Sequence, residues 1–449
     1  LLGALTGKAV LKVDRPLFFR RRVVNLRRNQ NFIRQSAVRQ GDWKYLRSYK
    51  YLGGGKFSGQ YKEAIYNLKD DIAEDNNLAE TNPEKLKALC NLLEQWEAEM
   101  AKTAKPFPQR ETQSKRAKPM QVTICPRLVP DLTSGNEEEF MRRVEDLFVD
   151  RTDDWKYVSK NISHFKFYST PLVWITKKKP ELLRRVVKSI TAMDKGIAVE
   201  VGIRHGHTQT EKTILDPITR AGGRVDFIIT DNVFIKSQFR KDKKDQYNWT
   251  YEQAVEKYAE YVAGIKKKYP KLKVGILEAG FRFHWEDKTQ FPAENPAKDY
   301  GDLKMILTDV IAACEARGTL IDIFQPEYSY ERIENTKNGW EKLKAMETFC
   351  REEGIEFYFL FNDHTGGHAS DKLFHDNVMK CLRSVKSHGL TPELGTIQSW
   401  YKHPLKDLPE DQPYTFMYLA NEFIQESQKM VNSASKVVAI EGENEVRGN

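Results

Sequence analysis

The chain has 449 residues, 40% of them hydrophobic, with 19 Tyr, 23 Phe and 8 Trp, enough for two or three packed domains. No apolar run reaches the roughly 18 residues that a membrane-crossing helix needs, which excludes a spanning segment of that kind. The net charge of +9 is unevenly placed: residues 1–118 hold 24 Lys+Arg against 13 Asp+Glu, leaving 48 against 50 for the rest. No helix-turn-helix, zinc-finger or RNA-binding signature accompanies the basic piece, so nucleic acid is not an expected partner. The five cysteines (Cys90, Cys125, Cys314, Cys350, Cys381) are odd in number, widely spaced and form no CxxC, which suggests neither a disulfide framework nor a zinc cluster.

In chain order, β-prone runs come first, at Pro16–Arg20, Asn31–Val38, Trp43–Tyr51 and Ala64–Leu68, with turns at Gly41-Asp42 and Gly53-Gly54-Gly55. A helix follows from about Pro83 to Lys102, where Leu86, Leu89, Leu92, Leu93 and Trp96 repeat at helical spacing. The expected unit is a small antiparallel sheet covered by one helix. It contains no His, and its only Cys lies on the helix, so no catalytic constellation is present. The arginine run Arg20-Arg21-Arg22…Arg27-Arg28 fits a solvated loop better than an anion-binding patch.

Several strings in this piece, in order, resemble the C-terminal subdomain of arylsulfatase-type sulfatases: Leu1-Leu-Gly-Ala-Leu-Thr-Gly7, Asp14-Arg-Pro-Leu-Phe18, Ala37-Val-Arg-Gln-Gly-Asp-Trp-Lys-Tyr-Leu46, Ala64-Ile-Tyr-Asn-Leu68 and Glu74-Asp-Asn-Asn-Leu-Ala79. The resemblance implies an exported, periplasmic or secreted system that handles sulfated molecules. That family cleaves sulfate esters with a formylglycine made in a C/S-x-P-x-R motif, beside a calcium ion. Both belong to a larger N-terminal subdomain that this chain does not include. Cys125-Pro126-Arg127 has the wrong spacing, so no sulfatase activity and no cofactor, calcium included, are expected of this chain. The opening Leu1-Leu2-Gly3, without Met, reads as a piece of a longer protein whose sulfatase catalytic subdomain would precede it.

The expected organisation is a sulfatase-like subdomain over residues 1–102, a polar, proline-bearing linker over 103–120, a barrel over 121–432 and a tail over 433–449. Within the barrel region eight β-prone runs alternate with helix-length segments. The runs are Val122–Cys125, His164–Tyr168, Ile197–Ile203, Val225–Thr230, Val274–Leu277, Leu320–Phe324, Phe357–Phe361 and Thr396–Trp400. The helical segments are Glu138–Val158, Pro180–Met193, Lys212–Ala221, Tyr251–Tyr269, Lys298–Arg317, Asn338–Glu353, Ser370–His388 and Thr415–Met430. Eight such repeats predict an α/β fold, a (β/α)8 TIM barrel preceded by a small α+β domain. A doubly wound open sheet is the alternative, but no GxGxxG turn follows any run.

Barrel enzymes carry their sites at the carboxyl ends of the strands. Those ends supply candidate catalytic residues Asp231, Glu278 and Glu327, and candidate substrate-binding residues Glu200, Arg204, His207, Asn232, Trp285, Tyr328, Asn362, Asp363 and Trp400. Aromatic rings stack on sugars, and paired carboxylates are what glycosidic cleavage uses. The pattern resembles TIM-barrel glycoside hydrolases, and implies a polysaccharide or oligosaccharide partner, sulfated if the first domain is a guide. The Asn-Glu pair that many of those enzymes carry after strand four is replaced here by Asp231-Asn232. Glu200 has a structural reading as the ion-pair partner of Arg204. Two further functions fit the same residues: a non-catalytic carbohydrate-binding barrel, and a metal-dependent sugar isomerase or epimerase with Glu278, Glu327, His364 and Glu200 as ligands.

Overall fold

The computed structural model describes residues 16–22, 32–53, 56–103, 119–128, 137–238, 247–285 and 301–429. They form two compact units, one drawn from the chain up to Gln109 together with Ile311–Gly318, the other from Arg110–Val310 and Thr319 onward. Most of the expected linker and the whole expected tail lie outside the described residues, as do Arg27 and Arg28.

In the first unit β1 (Leu17–Arg22), β2 (Phe32–Gln40), β3 (Trp43–Gly53) and β4 (Lys56–Asn67) pair in sequence order, all antiparallel. The β2–β3 hairpin closes Gln40 on Trp43 around Gly41, which takes the left-handed φ of +61° that such a turn requires. The helix Pro83–Thr103 lays its apolar stripe on one face of the sheet. Val38, Tyr45, Ile65, Leu89 and Leu93 are fully buried there, and Trp96 stacks on Phe18 at 5.1 Å. Arg47 is buried among them, held by Glu94 at 3.0 Å and Tyr45 Oη at 3.1 Å, so its charge is compensated rather than stranded.

The second unit is the expected barrel. Its strands are β5 (Gln121–Cys125), β6 (His164–Tyr168), β7 (Gly196–Val201), β8 (Val225–Asp231), β9 (Lys273–Glu278), β10 (Ile323–Pro326), β11 (Glu356–Phe361) and β12 (Leu394–Gln398). Each pairs in parallel with its sequence neighbours, and β12 closes the ring on β5. The interior is filled by Ala198, Phe227, Ile229, Leu277, Ile323, Tyr358 and Leu394, with the alternate residues of each strand turned to the helices.

Boundaries differ from the expected ones for local reasons. The segment expected as one helix over Glu138–Val158 is a helix at Glu137–Glu145, a π-turn, a 3₁₀ turn at Thr152–Trp155 and a new helix at Lys156–Asn161. Buried Trp155 donates its indole N–H to Leu147 O at 2.9 Å, drawing the chain back on itself. Helical backbone around the expected Lys212–Ala221 segment starts earlier, at Gly206, and passes through a π-turn at Glu211–Leu215 just before Pro217, whose ring nitrogen cannot donate. β7 ends at Val201, so Arg204 and His207 lie past the strand rather than on it.

Candidate active site

The site begins with Asn232, at the exit of β8. Its backbone has a left-handed φ of +50°, a conformation that Asn adopts more readily than most residues. Its N–H donates to Leu277 O at 2.8 Å, and its side-chain oxygen accepts from Ala279 N at 2.8 Å. The amide oxygen is thereby committed to the exit of β9, and the NH₂ points the other way. It donates to Asp231 Oδ1 at 2.8 Å and to Glu327 Oε2 at 2.6 Å. One nitrogen holds both carboxyl groups, so these two oxygens lie within about 5.4 Å of each other (2.8 plus 2.6).

The two carboxyls have different surroundings. Lys236, one turn along the short helix Val233–Gln238, donates to Asp231 Oδ2. Burial opposes the Lys236 charge, but the Asp231 carboxyl next to it raises the ammonium above its ordinary range. The Asp231 side chain keeps 28% of its surface exposed. Among the described residues no lysine pairs with Glu327, just past β10. Burial, then the charge of Asp231, pushes its carboxyl up to about 7. One carboxyl with an ammonium partner beside one that holds its proton near neutrality is the asymmetry that acid–base chemistry requires.

Glu327 lines a cleft of about 210 Å³ together with Asn232, Ile235, Ala279, Phe281, Arg282, Ser329, Arg332, Asn362, His364, Trp400 and Tyr401. Asn362 is buried, and both polar atoms of its amide lack a hydrogen-bond partner. An orphaned amide costs about 1–3 kcal/mol, which a ligand hydroxyl would relieve. Trp400 and Tyr401 meet edge-on at 6.3 Å, and the Tyr401 ring packs within 5.0 Å of His364. Gly367 permits that packing, because a Cβ there would fall 2.5 Å from the Tyr401 ring.

The sequence-predicted residues divide between this cleft and its support. Asn232, Glu327, Asn362 and Trp400 line it. Asp231 stands beside it through Asn232. Glu278 is fully buried: its Oε1 accepts from Phe234 N at 2.8 Å, its Oε2 has no partner, and burial pushes it up to about 8. Tyr328 is buried with its ring edge toward Phe281 at 6.0 Å. Asp363 caps the helix His364–Ala369 through Gly366 N and accepts from Asn377, and burial followed by the neighbouring Glu331 carboxyl pushes it up to about 7.

Other candidates sit elsewhere. Glu200 pairs with Lys166 at 2.7 Å and accepts from Gln398 at 3.1 Å, and Lys166 also donates to Gln398 at 2.7 Å. This buried triad crosses the barrel interior, and it replaces the Glu200–Arg204 pair expected from the sequence. Arg204 is exposed, the His207 ring packs at Gly264, and Trp285 is buried against Phe349 at 5.6 Å; none of the three lines the cleft. The four side chains considered as metal ligands are therefore not gathered, since Glu200 and Glu278 have protein partners of their own; among the described residues no three His, Cys, Asp or Glu side chains form a metal-holding group.

Arg332 and Lys236 were not singled out from the sequence. Arg332 stands five residues after Glu327, on the short helix Tyr330–Glu334, and Lys236 five after Asp231. The signal was a basic residue one helical turn past each acidic strand end.

Fold and cleft together define a (β/α)8 barrel with a carboxyl pair at the carboxyl-terminal rim. No family model matches the chain, and no curated protein matches it in sequence. Among solved structures it is similar to a truncated 3-deoxy-D-arabino-heptulosonate 7-phosphate synthase from Thermotoga maritima, at 10% identity and a TM-score of 0.39, over 70% of this chain and 88% of that one. It is also similar to a family 1 β-glucosidase from Thermotoga maritima, at 12% identity and a TM-score of 0.34, over 57% and 78%. The virulence factor SghA from Agrobacterium tumefaciens gives 12% and 0.36, over 59% and 78%. At these values the likeness carries no argument about chemistry.

Proposed function

We propose that the barrel cleaves glycosidic bonds, with Glu327 as acid and Asp231 as nucleophile. The observation that carries this is the pair itself: a carboxyl pushed up to about 7 at an aromatic-lined cleft, its oxygen within about 5.4 Å of a second carboxyl. That upper limit is below the roughly 6.5–9.5 Å that inverting glycosidases need to admit a water between their carboxyls, which favours the retaining route. In the step proposed, Asp231 Oδ1 attacks the anomeric carbon while Glu327 gives its proton to the departing glycosidic oxygen. A bond forms to Asp231 and the C–O bond to the leaving sugar breaks. Glu327, now ionised, takes a proton from water, and the hydroxide equivalent displaces Asp231 to release the sugar. Asn232 would hold the two carboxyls in place, and the Asn362 amide would take sugar hydroxyls.

The substrate in this reading is a polysaccharide or oligosaccharide, sulfated if residues 1–102 are the sulfatase-type subdomain they resemble, and the setting is then periplasmic or extracellular. The sheet-and-helix form of the first unit is compatible with that origin. A panel of sulfated and desulfated polysaccharides, assayed for new reducing ends with wild type, Asp231→Asn and Glu327→Gln, tests the proposal. Release by wild type and its loss in both variants supports it; equal release by all three clears both residues. The hydrogen bond from Lys236 to Asp231 favours a second reading, a binding barrel in which the pair is structural, and that reading predicts sugar binding with no reducing ends from any of the three.

A further inference from the structure

We infer that Arg332 forms a subsite for an anionic substituent, a sulfate or a carboxylate, on the sugar that meets Glu327; the inference rests on the glycoside reading above and adds the class of sugar. The Arg332 guanidinium carbon lies 3.9 Å from the centre of the Phe281 ring, and that of Arg282 lies 5.2 Å from the same ring. Both residues line the cleft. A cation over an aromatic face leaves its N–H donors for another partner. Among the described residues Arg332 makes no ion pair with a carboxylate, although Glu331 is its chain neighbour. The Glu331 carboxyl is committed instead, accepting from Ser329 Oγ at 2.7 Å and facing His364 N at 3.3 Å.

Arg332 thus brings to the cleft a guanidinium whose position is fixed by the Phe281 ring and whose N–H donors face the same space as Glu327. The second observation is independent. Asn362 is buried at 1% exposure with its amide nitrogen and oxygen both unpartnered, and it lines the same cleft. A guanidinium fork without a partner and an amide without a partner, in a space of about 210 Å³, suit a single ring that carries both hydroxyls and a planar or tetrahedral oxyanion. A neutral sugar would satisfy the amide and leave the arginine unmatched.

The test is calorimetric titration of the full chain in a Glu327→Gln background, so that the ligand is not consumed. The probes are a sulfated galacto-oligosaccharide, its chemically desulfated form and an oligogalacturonide. The expected result is that one charged ligand binds at least about tenfold more tightly than the neutral one, a difference of about 1.4 kcal/mol. Which of the two does so tells sulfate from carboxylate. Adding Arg332→Gln should collapse the ratio of charged to neutral affinity, while Arg332→Lys, which keeps charge without the fork, should retain part of it. Charged and neutral ligands binding alike, or a ratio unchanged in Arg332→Gln, overturns the anionic subsite and leaves the glycoside reading standing. Binding of none of the three, with thermal melts showing a folded protein, overturns both.

Discussion

Glu278 offers a stability test whose sign and size follow from its burial. The residue is fully buried, one oxygen is bonded to Phe234 N, the other has no partner, and its carboxyl is raised from 4.5 to about 8. A carboxyl raised on folding is neutral in both states below its unfolded value and costs nothing there. Above that value the unfolded chain releases the proton and the folded one keeps it, so stability falls as pH rises from 4.5 toward 8. At 1.36 kcal/mol per pH unit, the loss from this one group between pH 5 and pH 8 is about 3–4 kcal/mol. Glu278→Gln keeps the shape and the acceptor for Phe234 and removes the titration. Urea unfolding of wild type and variant at pH 5 and pH 8 should show the variant gaining about 3–4 kcal/mol, relative to wild type, between the two. An equal difference at both pH values would refute the reasoning, because it would mean that Glu278 is solvated or already paired in the folded state.

The buried Lys166–Glu200–Gln398 triad predicts that Lys166→Met destabilises by about 3–5 kcal/mol by leaving Glu200 buried and unpaired, and that adding Glu200→Gln restores much of the loss in thermal melts. Since Glu327 must be protonated to act as acid, kcat/KM should fall about tenfold per pH unit above about 7, and a plateau to pH 9 would remove it from that role. Gly367→Ala should push the Tyr401 ring out of place and raise KM more than it lowers kcat, with a fall in melting temperature that reflects about 1–3 kcal/mol of overpacking at this buried position.

The barrel was legible because each strand is a short apolar run and the following helices carry the 3.6-residue repeat. All eight runs recur as paired strands in sequence order. The rim was half legible. Asn232, Glu327 and Asn362 are the first polar groups past their strands and Trp400 is the first aromatic one past β12, so position alone brought them to the cleft. Trp285 lies seven residues past the end of β9, where a loop can turn it either way, and it turned to Phe349. The partner of Glu200 could not be read locally, because Lys166 and Gln398 stand on β6 and β12, and only ring closure brings them within 2.7 Å of each other. Short helices such as Val233–Gln238 and Tyr330–Glu334 are too brief to show a period, which hid Lys236 and Arg332. The depth of Glu278 was equally hidden: a carboxylate at a strand end has the same sequence context whether it faces the cleft or the wall behind it.

The carboxyl pair is the centre of the account, and a mechanism-based trap tests it most directly. Incubating the full chain with a set of 2-deoxy-2-fluoroglycosyl fluorides, neutral and uronic, should arrest turnover after the nucleophile has reacted. Intact-mass and peptide analysis should then show one glycosyl group per chain, on the peptide carrying Asp231, and none in Asp231→Asn. An adduct on Glu278, Asp363 or any other carboxyl, or reducing-end release by a wild-type protein that forms no adduct, would contradict the assignment of Asp231 and Glu327 as a retaining pair.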